Sequence, residues 1–349
     1  MDIIATITTT ITAILIFCFL VLTHEFGHFI VAKACHVYVD DFSIGMGPRL
    51  LHWRGKETEY CLRLFPIGGY CKMRGEDEDS NDERAFCCRP VWQRICIVAA
   101  GPIMNFLSAI LIYVVIYMIL GMAVPSNLIG DVAPGSPAAV AGLEAGDRIL
   151  SINGQEIEIW EDIGTVVNAG EEGAALNLQL LRGEDTMHVV LVPEYDSESA
   201  RWLMGVYSSL EEPALQRAGF FQSIRLGVAQ SVYMLRMLIS SIIEMIAGTV
   251  PVEVTGPVGI VTVINQAAND SLRTVLALMA FLCLNLGFMN LLPLPALDGS
   301  RIVFLAIEGL RGKPINRDKE GMVHFIGLIL LMGLMLLVTY QDIVRLVTG

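Results

Sequence analysis

The sequence places two histidines and a glutamate at a spacing that can hold and use a metal ion. His24, Glu25 and His28 form an H-E-x-x-H pattern at the end of the apolar run of residues 3–23. On a helix, positions i and i+4 share one face, so both imidazoles can reach one cation. Glu25 lies beside that face and can take a proton from a water molecule that the metal activates. A pair of hydrogen-bonded core histidines is the competing interpretation, but ionisable groups at membrane depth are costly and usually functional.

A carboxylate late in the chain is the natural third ligand. Asp298 follows an apolar stretch and is followed by Arg301. A catalytic zinc ion usually takes three protein ligands and keeps a fourth position for water. Pro293 and Pro295 break the helix before Asp298, and backbone groups freed at that depth are tolerated only in a buried or water-lined site. The alternative is a helix-end carboxylate that pairs with Arg301.

The elements that must position these residues are membrane helices. Apolar residues make up 54% of the 349-residue chain, which indicates a membrane protein. Four stretches lack charge over a length that can cross about 30 Å of hydrocarbon: residues 3–23, 95–124, 275–297 and 322–341. The first is not a typical signal peptide, because it has Asp2 in place of a positive n-region and its removal would take the histidine motif with it.

The charges predict the orientation. A net charge of −13 argues against nucleic-acid binding. Lys and Arg number 10 in residues 33–94 and 5 in residues 301–319, whereas residues 122–218 hold 4 of them and 16 acidic residues. Because positively charged loops stay in the cytoplasm, the two basic segments face inward and the acidic segment faces outward.

Residues 220–248 are long enough to span the membrane but contain two arginines and one glutamate. At 100° per residue their polar side chains gather on one side, as in a helix that lies in the membrane interface. If this stretch crossed the membrane, Asp298 would reach the side opposite to the two histidines. We therefore predict four spans and one interfacial helix.

Residues 41–74 alternate apolar and polar positions between glycines, which predicts a β-hairpin. A hairpin that dips into the membrane beside the metal would offer an edge for an extended peptide; an ordinary cytoplasmic hairpin is the other interpretation, and the sequence leaves both open.

The acidic residues 76–83 predict a solvated loop. Gly101 and Asn105 share one face of the second span, and helix packing is the expected role of both.

Residues 128–207 predict a separate β-rich domain. The run Gly-Leu-x-x-Gly-Asp-x-Ile-Leu-x-Ile-Asn-Gly, which begins at Gly142, includes an Asn153-Gly154 hairpin turn and resembles a PDZ domain. PDZ domains bind chain ends or extended segments by strand addition. A structural spacer is the alternative.

Taken together, these motifs resemble the site-2 protease family of M50-type intramembrane zinc metalloproteases, most closely its bacterial regulator of sigma-E protease branch. The matching features are HExGH near the first span, AGPxxN in the second, an outer PDZ domain and NxxPxPxLDG near the third. Zinc ligation by His24, His28 and Asp298, with Glu25 as general base, is what the resemblance implies. It also assigns substrate handling to four further residues: Asn285, Asn290, Pro293 and Pro295.

The resemblance implies cleavage of transmembrane segments of single-span proteins, either anti-sigma factors or remnant signal peptides. The chain would then lie in the bacterial cytoplasmic membrane, with the PDZ domain outside and the active site toward the cytoplasm. Some members carry two tandem PDZ domains, whereas one fits here. The rival hypothesis is a non-catalytic membrane scaffold or metal-handling protein, which would need the ligands but no base at Glu25.

The predicted fold class is an α-helical polytopic membrane protein with four transmembrane helices, a membrane-reentrant β-hairpin, an interfacial helix and one inserted β-rich PDZ domain. The predicted order is first span with HExGH, β region, second span, PDZ domain, amphipathic linker, third span with LDG, cytoplasmic loop and fourth span. The corresponding boundaries are 1–34, 35–94, 95–124, 125–210, 211–270, 271–299, 300–321 and 322–349.

Overall fold

A computed structural model of the chain describes residues 3–76, 78, 80–169, 173–197, 201–209, 211, 213–249 and 256–348. The chain divides into two compact units. One, called here the membrane unit, is built from Met1–Ile116 and Phe220–Gly349. The other, called the inserted domain, is Tyr117–Gly219.

The membrane unit begins with a long helix, a β-hairpin and a second long helix. Helix α1 continues through the histidine motif because no breaker interrupts it before His36, whose φ of 57° is left-handed. A short 3-10 turn at Phe86–Cys88 precedes the second long helix, which ends in a π-helical turn at Ile116–Leu120. The main elements are α1 Ile3–Ala34, β1 Val39–Arg54, β2 Glu59–Met73 and α2 Val91–Val115.

The hairpin folds into a small curled sheet. Residues 41–44 pair with 69–72 on one side and with 59–62 on the other, and residues 59–63 pair further with 49–54. Gly45 and Gly68, with φ of 83° and 85°, lie where the strands bend. Residues 69–73, called here the edge segment, therefore have no strand beyond them among the described residues.

The inserted domain is β-rich. Its four-stranded antiparallel sheet has the order β6-β5-β7-β8, and three further antiparallel pairs are β3–β12, β4–β11 and β9–β10. In chain order the elements are β3 Met122–Val124, β4 Ile129–Val132, α3 Pro137–Val140, β5 Arg148–Ile152, β6 Gln155–Glu156, α4 Trp160–Ala169, β7 Leu176–Arg182, β8 Asp185–Leu191, β9 Glu194–Asp196, β10 Arg201–Leu203, β11 Val206–Ser208 and β12 Ala214–Gln216.

The core of the inserted domain follows the strand period of two. Leu176, Leu178 and Leu180 of β7 are buried and pack with Ile163 and Val167 of α4. The predicted turn at residues 153–154 joins β5 to β6 with φ of 52° and 83°, as a two-residue hairpin of this type requires.

The membrane unit resumes with five helices: α5 Phe220–Ala247, α6 Pro257–Asp270, α7 Leu272–Leu291, α8 Asp298–Arg311 and α9 Arg317–Thr348. The sequence predicts a cytoplasmic loop at residues 300–321; the first part of this connection is helical, as α8, and its cytoplasmic side stays a prediction. Burial of Leu305, one turn beyond Arg301, anchors that helix in the core cluster that also contains Phe42 and Phe86. Helix α6 lies in what the sequence predicts as a linker, and residues 250–255 of that linker are outside the described residues.

Five helices of the described chain, α1, α2, α5, α7 and α9, are long and apolar enough to cross a membrane. Helix α5 has one face of small buried residues, which are Ser223, Gly227 and Ser231. A Cβ added at Gly227 would lie 3.2 Å from the Ile110 carbonyl oxygen of α2. The predicted class, a helical membrane protein with an inserted β-rich domain, is confirmed. Four spans and an interfacial α5 stay predictions.

Asp147 is a buried carboxylate that joins two strands of the inserted domain. Its oxygens accept bonds of 2.7 Å from Arg182 Nε and Nη2, and Oδ2 also accepts the Glu144 N–H at 2.9 Å. Burial raises the pKa of Asp147, but the bonds from Arg182 and Glu144 outweigh burial and hold that pKa below its usual range.

We predict that Asp147→Asn lowers the free energy of unfolding of the inserted domain by about 2 kcal/mol at neutral pH, since hydrogen bonds to a charged group contribute about 1.5–3 kcal/mol. Because the folded-state pKa is depressed, this stabilisation is present above about pH 4 and is lost as the pH falls through the folded-state value. Urea denaturation of the isolated domain should show that the free energies of unfolding of the wild type and of Asp147→Asn become equal in acid. Asp185→Asn, at an exposed site, is the control; an undiminished difference in acid would contradict the charge-based explanation.

Candidate metal centre

Two glycines allow α1 and α2 to approach closely beside the histidine motif. A Cβ added at Gly27 would lie 2.2 Å from the Ala100 carbonyl oxygen. A Cβ added at Gly101 would lie 2.3 Å from His28 Nε2 and 2.9 Å from His24 Cε1. All three distances are shorter than real Cβ contacts, so only glycine fits at these positions. Gly101 leaves open the space in front of both imidazoles.

Three donor atoms converge in that space. The Nε2 atoms of His24 and His28 are 3.2 Å apart. Asp298 Oδ2 lies 3.1 Å from His24 Nε2 and 3.4 Å from His28 Nε2. Zinc binds nitrogen and oxygen at about 2.0–2.1 Å in tetrahedral geometry, which places neighbouring donor atoms about 3.3–3.4 Å apart. The three separations are therefore those of ligands that share one zinc ion.

The chemistry of these atoms also fits a cation. Asp298 Oδ2 is, among the described residues, a buried oxygen without a hydrogen-bond partner. Leaving a buried charged group unsatisfied is costly, and a metal ion is one of the few partners that removes the cost. Two imidazoles and one carboxylate form a donor set that catalytic zinc sites use. Zinc thus fits the residues present.

Helix α2 holds the ring nitrogens that face away from this point. His28 Nδ1 lies 2.8 Å from the Ile97 carbonyl oxygen. Because a carbonyl only accepts, the proton is on Nδ1 and the Nε2 lone pair is free for a metal. His24 Nδ1 lies 3.3 Å from Asn105 Nδ2, and Asn105 Oδ1 accepts the Thr23 hydroxyl at 2.9 Å. Rotation of the Asn105 amide by half a turn presents Oδ1 to a protonated Nδ1, the tautomer that metal binding at Nε2 requires.

Glu25 faces the same space from beside the histidines. It lines a cavity of about 570 Å³ together with His24, His28 and Asp298. The edge segment of β2 forms one wall, since Tyr70, Cys71, Lys72 and Met73 also line this cavity. A Cβ added at Gly69 would lie 3.4 Å from Glu25 Cγ. The edge segment therefore runs alongside the predicted general base.

Asp298 is the first residue of α8, where the helix dipole favours a negative charge. Arg301, the alternative partner of Asp298, pairs with Glu76 instead. The sequence predicts a solvated loop for residues 76–83, and for Glu76 this is wrong: its side chain is 13% exposed and lines the cavity. Asp77 and Asp79 of that loop lie outside the described residues.

The four residues expected to handle substrate are not among those that line the cavity. Asn285 and Asn290 are half-buried on α7. Pro293 and Pro295 lie in the connection between α7 and α8. All four are close in sequence to Asp298, and their assignment stays a prediction.

Sequence reasoning missed two roles on α2. It assigns Gly101 and Asn105 to helix packing, whereas the structure places Gly101 against the imidazole rings and the fully buried Asn105 beside His24 Nδ1. A spacing of four residues on one face of an otherwise apolar helix is the signal that could have indicated these roles, because it matches the spacing of the two histidines.

We predict that Gly101→Ala abolishes zinc binding, because the added methyl group would occupy the space in front of both Nε2 atoms. Zinc content of the purified protein, measured by atomic emission, should be near one ion for the wild type and near zero for the variant. Gly321→Ala is the control, since an added Cβ there meets nothing within 4 Å. Wild-type zinc content in Gly101→Ala would contradict this location of the site.

We also predict that Asn105→Ala weakens zinc binding by about 10–100-fold, the usual effect of removing the partner of a metal-binding histidine. Competition with a coloured chelator would measure the affinity. Asn269→Ala, at an exposed position on α6, should bind zinc like the wild type. Equal affinity of Asn105→Ala and wild type would leave Asn105 with a packing role alone.

Comparisons with known proteins agree with this chemistry. Residues 12–334 match the family model described as peptidase family M50. The chain is 38% identical over 336 residues to a zinc-metalloprotease relative from Clostridium acetobutylicum, covering 96% of this chain and 97% of that protein. It is 32% identical over 424 aligned residues to the regulator of sigma-W protease RasP of Bacillus subtilis, covering 97% and 99%.

Among solved structures, a PDZ domain of an SdrC-like protein from Listeria monocytogenes matches with a TM-score of 0.23 and 16% identity, over 25% of this chain and 90% of that one. The family match covers most of the chain, and the two full-length relatives agree with it. The chain therefore belongs to peptidase family M50 and is a zinc metalloprotease, as its motifs predict.

Proposed function

We propose that this chain is an intramembrane endopeptidase whose zinc ion is held by His24, His28 and Asp298. The observation that carries the proposal is the convergence of three donor atoms beside Glu25 in one cavity. Bound zinc supplies Lewis acidity, which polarises a carbonyl group and lowers the pKa of water. The protein supplies the remaining chemistry.

Glu25 is the general base in this proposal. Its position next to His24 directs the carboxylate into the cavity that the three donor atoms share. The carboxylate accepts a proton from water as the water oxygen bonds to the scissile carbonyl carbon, and it passes that proton to the amide nitrogen that leaves when the peptide bond breaks. Ile97 and Asn105 hold the two imidazoles in the required orientation during this transfer.

The substrate is a membrane segment in extended form. A helical segment has all its backbone groups bonded internally, so it must unwind before its peptide bonds can be reached. The edge segment can receive the unwound chain as an added strand, because it borders Glu25 and, among the described residues, has β1 on one side and no strand on the other. The four residues near Asp298 help to hold the segment: Asn285, Asn290, Pro293 and Pro295.

Exposed apolar side chains support a membrane position for the hairpin. Leu50, Leu51, Trp53 and Phe65 are 54%, 68%, 70% and 56% exposed. Exposed apolar surface of this extent usually faces a partner or a membrane. A hairpin that dips into the bilayer places its edge segment at the depth of the substrate.

The proposed substrates are single-span membrane proteins of the anti-sigma factor type and remnant signal peptides. RasP of Bacillus subtilis is named as a regulator of sigma-W protease, which supports the first class. The distribution of Lys and Arg supports a cytoplasmic metal centre and an inserted domain on the outer side of the cytoplasmic membrane.

The inserted domain would screen or recruit substrates by PDZ-type strand addition. A groove of about 860 Å³ runs between α4 and the strands β10 and β11. Ile163, Val167, Met204 and Val206 supply apolar side chains to its lining. An extended peptide can add to β11 there and place alternate side chains in the groove.

Replacement of Glu25 distinguishes the protease hypothesis from the scaffold hypothesis. We predict that Glu25→Gln keeps full zinc content and lowers cleavage of a tagged single-span substrate by about 10²–10⁴-fold, the usual contribution of a general base. Glu244→Gln, at an exposed position on α5, should cleave like the wild type.

Equal cleavage by Glu25→Gln and wild type would remove Glu25 from the mechanism. A zinc-loaded wild type that cuts none of several pre-trimmed substrates would favour the scaffold or metal-handling function.

A further inference from the structure

Ala296 has a backbone conformation that its side chain disfavours. Its φ is 69°, in the left-handed region where Cβ crowds the carbonyl oxygen. Ala296 lies two residues before Asp298, in the connection between α7 and α8. A non-glycine residue stays in this region only when surrounding structure holds it there.

Helix α9 supplies that support through His324. The Ala296 N–H donates to His324 Nδ1 over 3.1 Å. Because Nδ1 accepts, the ring proton is on Nε2, which lies 3.9 Å from Glu320 Oε1. The His324 ring also packs against Phe304 of α8, with 5.8 Å between ring centroids. One side chain therefore contacts the chain on both sides of Asp298.

Gly327 lies one turn further along the same face of α9 and permits close docking. A Cβ added there would lie 2.2 Å from Pro295 Cβ and 3.1 Å from Pro295 Cα. Gly327 is buried, although most of α9 is exposed. Residues i and i+3 share a helix face, so His324 and Gly327 form one contact surface against Pro295 and Ala296.

We propose that His324 and Gly327 are positioning residues for the metal centre, acting through the connection that leads into Asp298. The inference rests on the proposed ligand role of Asp298. A ligand must be held within about 0.5 Å of its productive place. The left-handed turn at Ala296 sets the direction in which α8 begins, and α8 carries the carboxylate to the two imidazoles. Helix α9 thus fixes the third ligand without touching the metal.

The test compares zinc affinity, measured by chelator competition without substrate, across a small set of variants. His324→Leu removes the acceptor for the Ala296 N–H, and Gly327→Ala forces α9 away from Pro295. Each should weaken zinc binding about tenfold or more, in the range seen for outer partners of metal ligands. Gly333→Ala, on the same helix, meets nothing within 4 Å and should bind zinc like the wild type.

The decisive variant is His324→Leu combined with Ala296→Gly. Glycine adopts a φ of +69° without support, so the second change should restore most of the lost zinc affinity. The visible absorption of the cobalt-substituted protein reports the ligand geometry and should change in His324→Leu and return in the double variant. A merely destabilised helix α9 would not be repaired by a change at Ala296.

A zinc affinity of His324→Leu within twofold of the wild type would overturn the proposal. It would also be overturned if the double variant bound zinc no more tightly than His324→Leu alone. The protease proposal fails separately, because it is judged by substrate cleavage in the wild type. A wild type that binds zinc but cuts nothing would leave the positioning role of His324 intact.

Discussion

Two imidazoles and a carboxylate occupy one small volume among apolar helices, and a shared cation would stabilise that arrangement. Their donor atoms are 3.1–3.4 Å apart, and a positive charge between them, such as a metal ion, offsets the repulsion of their lone pairs. In the proposed site the same cation would join segments that are far apart in the sequence, since its two histidines come from α1 and its carboxylate from α8. Metal binding in this family member is therefore expected to stabilise the fold as well as supply chemistry.

Helix α2 is the element against which the rest of the membrane unit is assembled. Lipid gives helices no hydrophobic reason to associate, so close backbone approach through small residues takes its place. Three helices approach α2 through a glycine, namely α1 through Gly27, α5 through Gly227 and α7 through Gly287, whose added Cβ would lie 2.9 Å from the Pro102 carbonyl oxygen. This close packing also brings Ile97 and Asn105 of α2 to the two imidazoles.

Local patterns in the sequence predict those structural features that nearby residues of the chain determine. The H-E-x-x-H helix and the turn at residues 153–154 are of this kind, because spacing and turn chemistry alone determine them. The pairing of Glu76 with Arg301 could not be predicted in this way. A run of acidic residues has the same sequence pattern whether it is solvated or pairs with an arginine far along the chain. The contact between His324 and Ala296 likewise depends on how α9 packs against the connection between α7 and α8. The hydrophobic periodicity of either segment does not predict this packing.

The inserted domain begins and ends in paired strands. Strand β3 lies antiparallel to β12, and the Ala218 N–H bonds the Tyr117 carbonyl oxygen. The two ends of the inserted domain therefore lie side by side, a geometry in which an insertion can change size without pulling its ends apart. Evolution could exchange, duplicate or delete such a module while the catalytic helices kept their places. The binding properties of the inserted domain and the chemistry of the membrane unit would then be free to diversify at different rates.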